Sequence, residues 1–564
     1  MKRGSFRVAI VVFSFCIACS DRLLEQDAPL DTTFPVVQVF EPARGTILSG
    51  QSLWVRGRVT DDKSVKTLSV GNEQIEIDVE GYFETLLSFP KNGLHIIETS
   101  VVDGSGNETN DVRSVMSMSE NASTDVIKDA VSLFLGPQAF VRIGDMMEAV
   151  FESDSIPEAI VALEPIETGG SCLGATMDIE KFEYEGTDVT LSPESGVVRV
   201  DTTIRNVRSD IDTRFKFSCI PGRTDVIATV DEVKIGGELS IQVIDEKVVA
   251  STDETLMAEL VGFDIDVNNF PGALESLIRG SIRSRIEDFV EEYLKETVPE
   301  LFAGVFEGFS GGQAVTFFEK EMFVKVIPTA IEIETRGLDL NADASTFIDG
   351  FTAPHNNVIV ETPATGESGN EFEMYMSTEF VNQFSATLWS SGALDMAVPI
   401  EGTGQLAAVA SELTLGWLLP PFIDKTIDLQ KFELKIGDAF TLASSPDGVV
   451  TQIAISSLVE VDLGIADGLF ALEGQANSIW LDILEEGVTG ANVFANSETE
   501  ALASHAARHG IGILLDALNG RELPIFQGLK IKSADVDASI KDFVALKGSL
   551  EVAEVVEVET ENTL

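Results

Sequence analysis

The sequence predicts a multi-domain chain: an all-β sandwich at the N-terminus, then two α+β units, each a curved antiparallel sheet wrapped around long helices. Three observations predict it. From Phe34 to Met118, short runs alternate apolar and polar residues between turn signals. From Thr176 to Val267 the alternating runs lengthen, as in strands with one wet and one covered face. Beyond Pro271, residues Leu274, Leu277, Ile278, Ile282, Ile286, Phe289, Val290, Tyr293 and Leu294 recur at three- and four-residue spacing, a long amphipathic helix able to cover such a sheet.

The first element in order is a leader. Lys2, Arg3 and Arg7 precede an apolar run, Val8 to Phe15, which ends at Cys16-Ile17-Ala18-Cys19. This pattern predicts a secretory signal over 1–18, its apolar core shorter than the about 20 residues that span a bilayer. Small or aliphatic residues directly before a cysteine resemble a bacterial lipobox, although Cys16 stands where that pattern has Leu. The resemblance implies that Cys19 becomes a diacylated N-terminus, anchoring the chain to a membrane. Ser20 rather than Asp after it implies an outer-membrane lipoprotein that faces the periplasm or the cell surface. The alternative is ordinary signal cleavage near Ser20. Residues 19–33 are polar and aperiodic and read as a tether.

Of four cysteines, Cys172 and Cys219 then remain, and an oxidising exported compartment joins them in one disulfide; two buried free thiols are the alternative. Later stretches lack the length and apolarity of a membrane span. The 564 residues carry a net charge of -55, with acids spread along the chain. Nucleic acid is repelled by such a surface, and no basic stripe interleaved with aromatics offsets it.

In the sandwich, 34–118, the runs Val37-Gln38-Val39, Leu53-Trp54-Val55, Ile75 to Val79 and Ile96-Ile97-Glu98 are split by turns at Ala43 to Gly45, Glu80-Gly81, Asn92-Gly93 and Asp103 to Asn107. Through Gly81-Tyr82-Phe83, Gly93 to Ile97 and the Asp103 turn it resembles bacterial immunoglobulin-like spacer modules; a protein partner for this domain belongs to the alternative, adhesion reading. The Asp-rich turn is read as a turn rather than a Ca²⁺ site. The next unit, 120–310, opens with Val126, Ile127, Ala130, Val131 and Phe134 at helical spacing, resumed by Ile143, Met146, Met147, Val150 and Phe151. Strands from Thr176 to Val267 and the 274–294 helix complete it, Pro299 kinking or ending that helix. The last unit, 311–564, has strands at 323–335 and 357–362. Ser377-Thr378-Glu379 opens a helix that carries Phe380, Val381, Phe384, Leu388 and Trp389 on one side and stops at Gly392. Strands at 427–436, 449–463 and 469–482, a helix from about 498 to 518, and strands at 529–540 and 543–552 follow.

Three stretches carry a wider resemblance over roughly 120–555: the long-stranded sheet followed by the Leu274 to Leu294 helix; Ser377-Thr378-Glu379-Phe380-Val381-Asn382-Gln383-Phe384 leading to Leu388-Trp389 and Gly392; and Leu523-Pro524-Ile525-Phe526-Gln527-Gly528-Leu529 before closing strands. Their order resembles the family of bactericidal/permeability-increasing protein, lipopolysaccharide-binding protein and cholesteryl ester transfer protein, the tubular lipid-binding fold. That resemblance implies binding and transfer of lipid or another apolar ligand in grooves between helix and sheet, without catalysis or cofactor. Cys172 and Cys219 fit the single disulfide of that family's first barrel. The groove candidates are Leu274, Leu277, Ile278, Ile282, Phe380, Phe384, Leu388 and Trp389, residue types that equally serve as core. The first unit's strands hold as much acid as base, which disfavours lipopolysaccharide as ligand and favours a neutral or zwitterionic one. The alternative function is a surface adhesion or scaffold protein without a lipid.

Other motifs lack context. Gly308-Phe309-Ser310-Gly311-Gly312 matches a nucleophile elbow but follows a helix instead of a strand. His505 and His509 have zinc-ligand spacing, with Ala506 where a zinc protease needs Glu. Asp339, Asn341, Asp343 and Ser345 mimic a calcium loop but lack its Gly and closing Glu, and read as a solvated turn.

Overall fold

The computed structural model describes residues 31–553 except 154, 253–255, 268–271, 310, 318–319, 349, 359–362, 364, 367–368, 400–411, 427–430, 445–449, 467–468, 486–507, 509–510, 513–514, 516–527 and 538. The signal, Cys19, Ser310, His505 and His509 lie outside the described residues, as does most of the expected 498–518 helix.

The N-terminal alternation folds as strands β1 (Val36–Glu41), β2 (Thr46–Ser49), β3 (Ser52–Thr60), β4 (Val65–Val70), β5 (Glu73–Gln74), β6 (Tyr82–Ser88), β7 (Gly93–Asp103) and β8 (Glu108–Met118). They form a three-stranded sheet, β1-β3-β6, and a five-stranded sheet, β2-β8-β7-β4-β5. Val55, Val59 and Phe83 from the first meet Leu68, Val101 and Val115 from the second. Gly57 is required there, because a Cβ would lie 2.5 Å from the Phe83 ring. In the Asp103 turn, the buried carboxylate accepts from the backbone N–H groups of Ser105, Gly106 and Asn107 at 2.6–2.8 Å. It thus builds the turn.

The middle of the chain supplies β9 (Ile127–Leu135), α1 (Pro137–Phe151), α2 (Ser155–Val161), β10 (Ile166–Gly170), β11 (Leu173–Glu183), β12 (Gly186–Glu194), β13 (Val197–Phe217), β14 (Ile220–Ile244), β15 (Lys247–Thr252), β16 (Met257–Val261), β17 (Asp264–Val267) and α3 (Gly272–Val305). Strands β10 to β17 make an eight-stranded antiparallel sheet along the path β10-β11-β13-β14-β15. The rest supplies β18 (Gly311–Phe317), β19 (Lys320–Glu334), β20 (Gly337–Phe347), β21 (Phe372–Ser377), α4 (Thr378–Ser390), β22 (Met396–Pro399), β23 (Glu412–Trp417), β24 (Phe422–Thr426), β25 (Lys431–Ser444), β26 (Val450–Ala466), β27 (Leu469–Glu485), β28 (Leu529–Asp537) and β29 (Phe543–Val552).

The expected pair of α+β barrels, each a sheet wrapped around long helices, is corrected by this architecture. The protein is mostly β, with four α-helices among the described residues against twenty-nine strands, and its strands are collected in four separate sheets. The largest has thirteen strands, and against it lie the 13-residue α4 and the helical residues Ile511 and Leu515. Part of the reason lies in β9. Its 3/4 spacing reads as a helix, yet it is a strand between β20 and β21 in the thirteen-stranded sheet. A bulge at Asp129, with φ 49°, offsets its pairing from Ala342↔Val131 to Ala344↔Ile127. That insertion breaks the period-2 pattern and imitates a helical one. Asp339, Asn341, Asp343 and Ser345 are likewise not a solvated turn but part of β20, where buried Asp343 accepts from the Asp129 backbone N–H at 3.0 Å. Helix α3 runs on through Pro299 to Val305.

The sandwich docks on the thirteen-stranded sheet through an apolar cluster of Leu94, Met116 and Leu419 and through polar contacts. The Arg44 guanidinium donates to Asp438 at 2.8 Å and to the Val112 carbonyl at 2.6 Å, and Asp438 also accepts from the Ser114 N–H at 2.8 Å. Burial raises the pKa of Asp438 against the opposing pull of these donors.

Candidate ligand-binding interior

Residues on β13 alternate between solvent and the interior. The inward row is Val198, Val200, Thr202 and Ile204, then Val207, Ser209, Ile211 and Thr213. The phase resets at Asn206, whose φ is 52°, and β14 resets opposite it between Val230 and Val233. The outward row is charged, and its arginines are matched by acids: Arg199 with Asp201, Arg205 with Asp188, Arg208 with Asp210, and Arg214 with Asp178. Such exposed pairs contribute little to stability, but they leave this face without a net cationic patch.

The interior row faces α1 and α3. Leu274, Ile278 and Ile282 are buried and Leu277 is half-buried. Ile278 and Ile282 share one apolar core with Phe140, Met147, Phe302 and Phe306, and with Phe380 at the start of α4. Within it the hydroxyls of Thr187, Thr202, Ser209 and Thr213 are buried without a hydrogen-bond partner among the described residues, their residues 0–3% exposed. Two of them are near neighbours, because Thr202 pairs with Val189, two positions along β12 from Thr187. Orphaned hydroxyls in an apolar interior each cost about 1–3 kcal/mol, and native interiors hold few. The sequence shows them as polar residues in the apolar phase of a strand, a signal that the charged phase beside it obscures.

The disulfide closes the end of this sheet. Cys172 lies in the β10–β11 turn, and Cys219 in a β13–β14 turn whose Ser218 and Cys219 both have positive φ. The Cys219 N–H donates to the Cys172 carbonyl at 3.1 Å.

The remaining groove candidates sit elsewhere. Phe384, Leu388 and Trp389 of α4 pack with Met322, Ile348 and Leu394 in a separate cluster, so the structure unites Phe380, but not these three, with the α3 residues. Polar groups around α4 are answered by protein. Ser377 caps the helix by accepting from the Phe380 N–H at 3.2 Å. Buried Gln383 accepts from the Thr346 N–H and donates to the Ala353 carbonyl, both at 3.1 Å. Trp389 Nε1 donates to the Trp417 carbonyl at 2.7 Å, and Trp417 Nε1 to the Leu394 carbonyl at 2.8 Å.

Among the described residues no group of three or more His, Cys, Asp or Glu is placed to hold a metal ion, and no helix is long and apolar enough to cross a membrane. The chemistry this interior offers is burial of apolar surface beside a few hydroxyls.

No family model and no curated protein matches the chain. Among solved structures it is similar to lipopolysaccharide binding protein, at 12% identity over 75% of this chain and 99% of that one, with a TM-score of 0.44. It is also similar to P47 of Clostridium botulinum E1, at 9% identity over 75% and 100% of the two chains, TM-score 0.21. A third likeness is to the Clostridium thermocellum CbhA fibronectin(III)-like modules, at 10% identity over 34% and 92%, TM-score 0.14. At these scores the likenesses carry no part of the functional argument below.

Proposed function

We propose that this chain is an exported, non-enzymatic protein, anchored through Cys19, that binds an amphipathic lipid in the interior bounded by β12, β13, α1 and α3. The observation that carries the reading is the set of four buried hydroxyls without partners, Thr187, Thr202, Ser209 and Thr213, set among apolar side chains. An ester or hydroxyl oxygen of a lipid answers such groups, while its acyl chain lies against Ile278 and Ile282. Each CH₂ so sequestered contributes about 0.8 kcal/mol. On this reading a ligand enters as α3 separates from the sheet. The mixed charge of the outward β13 face favours a neutral or zwitterionic headgroup over an anionic one.

Organic extraction of the purified protein followed by mass spectrometry tests this. Lipid at near-stoichiometric amount is expected, together with uptake of a fluorescent diacylglycerol probe. Thr202→Val with Thr213→Val is expected to weaken that probe about tenfold, the equivalent of about 1.4 kcal/mol, and to leave a pure hydrocarbon probe unaffected. Clean extracts with no uptake of either probe would instead favour an adhesion or scaffold protein.

A further inference from the structure

The outer face of the three-stranded sheet has a composition unlike the rest of this acidic surface. The register sets Trp54 opposite Leu86, Arg56 opposite Glu84 and Arg58 opposite Tyr82. Trp54, Tyr82 and Leu86 are all exposed, Trp54 by 43%. The guanidiniums of Arg56 and Arg58 lie over the rings of Trp54 and Tyr82 at 5.3 and 5.2 Å, contacts that hold the two rings in place. Rigid exposed aromatics of this kind are what binding sites use.

Beside Trp54 the face becomes concave. A cavity of about 360 Å³ is lined by Glu41, Thr46, Ser52, Trp54 and Leu86, among others, a volume at the lower end for a small-ligand site. Its walls divide by chemistry: Trp54 and Leu86 supply an apolar side, and Glu41, Ser52 and Thr46 supply oxygens. The charge of Glu41 is matched by Arg56, whose Nη1 donates to Glu41 Oε2 at 2.8 Å, and the Trp54 indole N–H has no hydrogen-bond partner among the described residues. An acyl chain would bury the Glu41 carboxylate against hydrocarbon, which is costly. A strong anion would meet that same carboxylate. A neutral sugar ring matches both sides, because its C–H face lies flat on an indole while its rim hydroxyls donate to a carboxylate and accept from an N–H.

We propose that this pocket is a saccharide-binding site, with Trp54 as the stacking platform and Glu41 as the acceptor for ring hydroxyls. It sits in the sandwich, apart from the lipid interior, and depends on neither α3 nor the hydroxyl row.

The full chain is tested on an array of printed neutral oligosaccharides comprising glucans, mannans, galactans and N-acetylglucosamine oligomers, and the best-retained one is then titrated in solution by tryptophan fluorescence and calorimetry. Trp54→Ala is expected to weaken binding at least 50-fold, Trp54→Phe by less, and Glu41→Gln by about tenfold. Tyr82→Ala, on the same face but outside the cavity, is expected to leave saccharide affinity unchanged, and lipid uptake should be intact in all four variants. Trp54 is largely surface, and near-native circular dichroism of each variant excludes misfolding as the cause. The proposal is overturned if no oligosaccharide on the array is retained, or if Trp54→Ala binds as well as the parent. Loss of saccharide affinity in Tyr82→Ala equal to that in Trp54→Ala would also overturn it, in favour of a protein docking over the whole face.

Discussion

The interior beneath α3 and the cluster around α4 look alike in sequence, each an apolar stripe on a helix laid against strands, yet they handle polar groups in opposite ways. Around α4, Gln383, Thr346, Thr387, Trp389 and Trp417 answer one another or nearby backbone. In the interior bounded by α1 and α3, four buried hydroxyls on β12 and β13 lack a partner among the described residues. A closed network specifies one packing and rigidifies it, whereas leftover hydrogen-bonding capacity in an apolar setting suits a region that exchanges its contents. Under the proposed lipid reading the difference favours Ile278 and Ile282 over Phe384, Leu388 and Trp389, a division that helical spacing cannot make.

Four measurements break or sharpen that contrast. The largest effect is expected from the disulfide, which links positions 47 apart in the sheet beneath α3. Replacing both cysteines by Ser should lower stability by about 4 kcal/mol on the loop-entropy account, seen as an earlier urea midpoint, while the α4 region keeps its hydrogen-exchange protection. Equal loss of protection in both regions would show that they unfold as one unit. Next, Gln383→Ala strands the Thr346 N–H and the Ala353 carbonyl and should cost about 3 kcal/mol, with lipid uptake unchanged. Loss of uptake in a folded variant would erase the distinction.

Thr202→Val should have the opposite sign. Removing a buried hydroxyl without a partner from the lipid-free protein is expected to stabilise it by about 1 kcal/mol, and a destabilised variant would mean the hydroxyl is already satisfied. The smallest effect is the pH dependence that His355 contributes on the α4 side. Buried His355 is neutral, its Nδ1 accepting from the Asn357 N–H and its Nε2–H donating to the Asp125 carbonyl, both at 3.0 Å. Burial holds its pKa below 6.5, so the unfolded chain binds the proton more readily. Its contribution is therefore complete above 6.5 and is lost as pH falls from there through the depressed folded value. Glu379 beside it is raised above 4.5 by burial, and its protonation in the folded state works the other way. Comparing the denaturation midpoints of the parent and His355→Gln at pH 7.5 and 5 isolates the histidine: the variant should lose less on acidification. Equal losses would remove His355 as the cause.

Much of the local structure was legible. Ser377 announces a helix start and the helix begins at Thr378, while Gly392, with φ 70°, lies just past its end. Two cysteines left over in a chain expected to be exported announced a disulfide that forms. The long alternating runs announced strands because period 2 is a property of the chain itself. Bulges defeat that reading. At Asp129 the inserted residue turned a strand into an apparent helix, and the positive φ of Asn206 exchanged the faces of β13 partway along without a change of register.

The sequence alone thus settled features such as the α4 cap and the long alternating strands, since these depend on neighbours within a few residues and on backbone geometry. Only the tertiary structure decided which strands share a sheet and that β9 joins β20 and β21. It also decided which buried hydroxyls lack partners. Pairing and satisfaction depend on residues hundreds of positions apart, and no local pattern encodes the geometry that brings such residues to hydrogen-bonding distance.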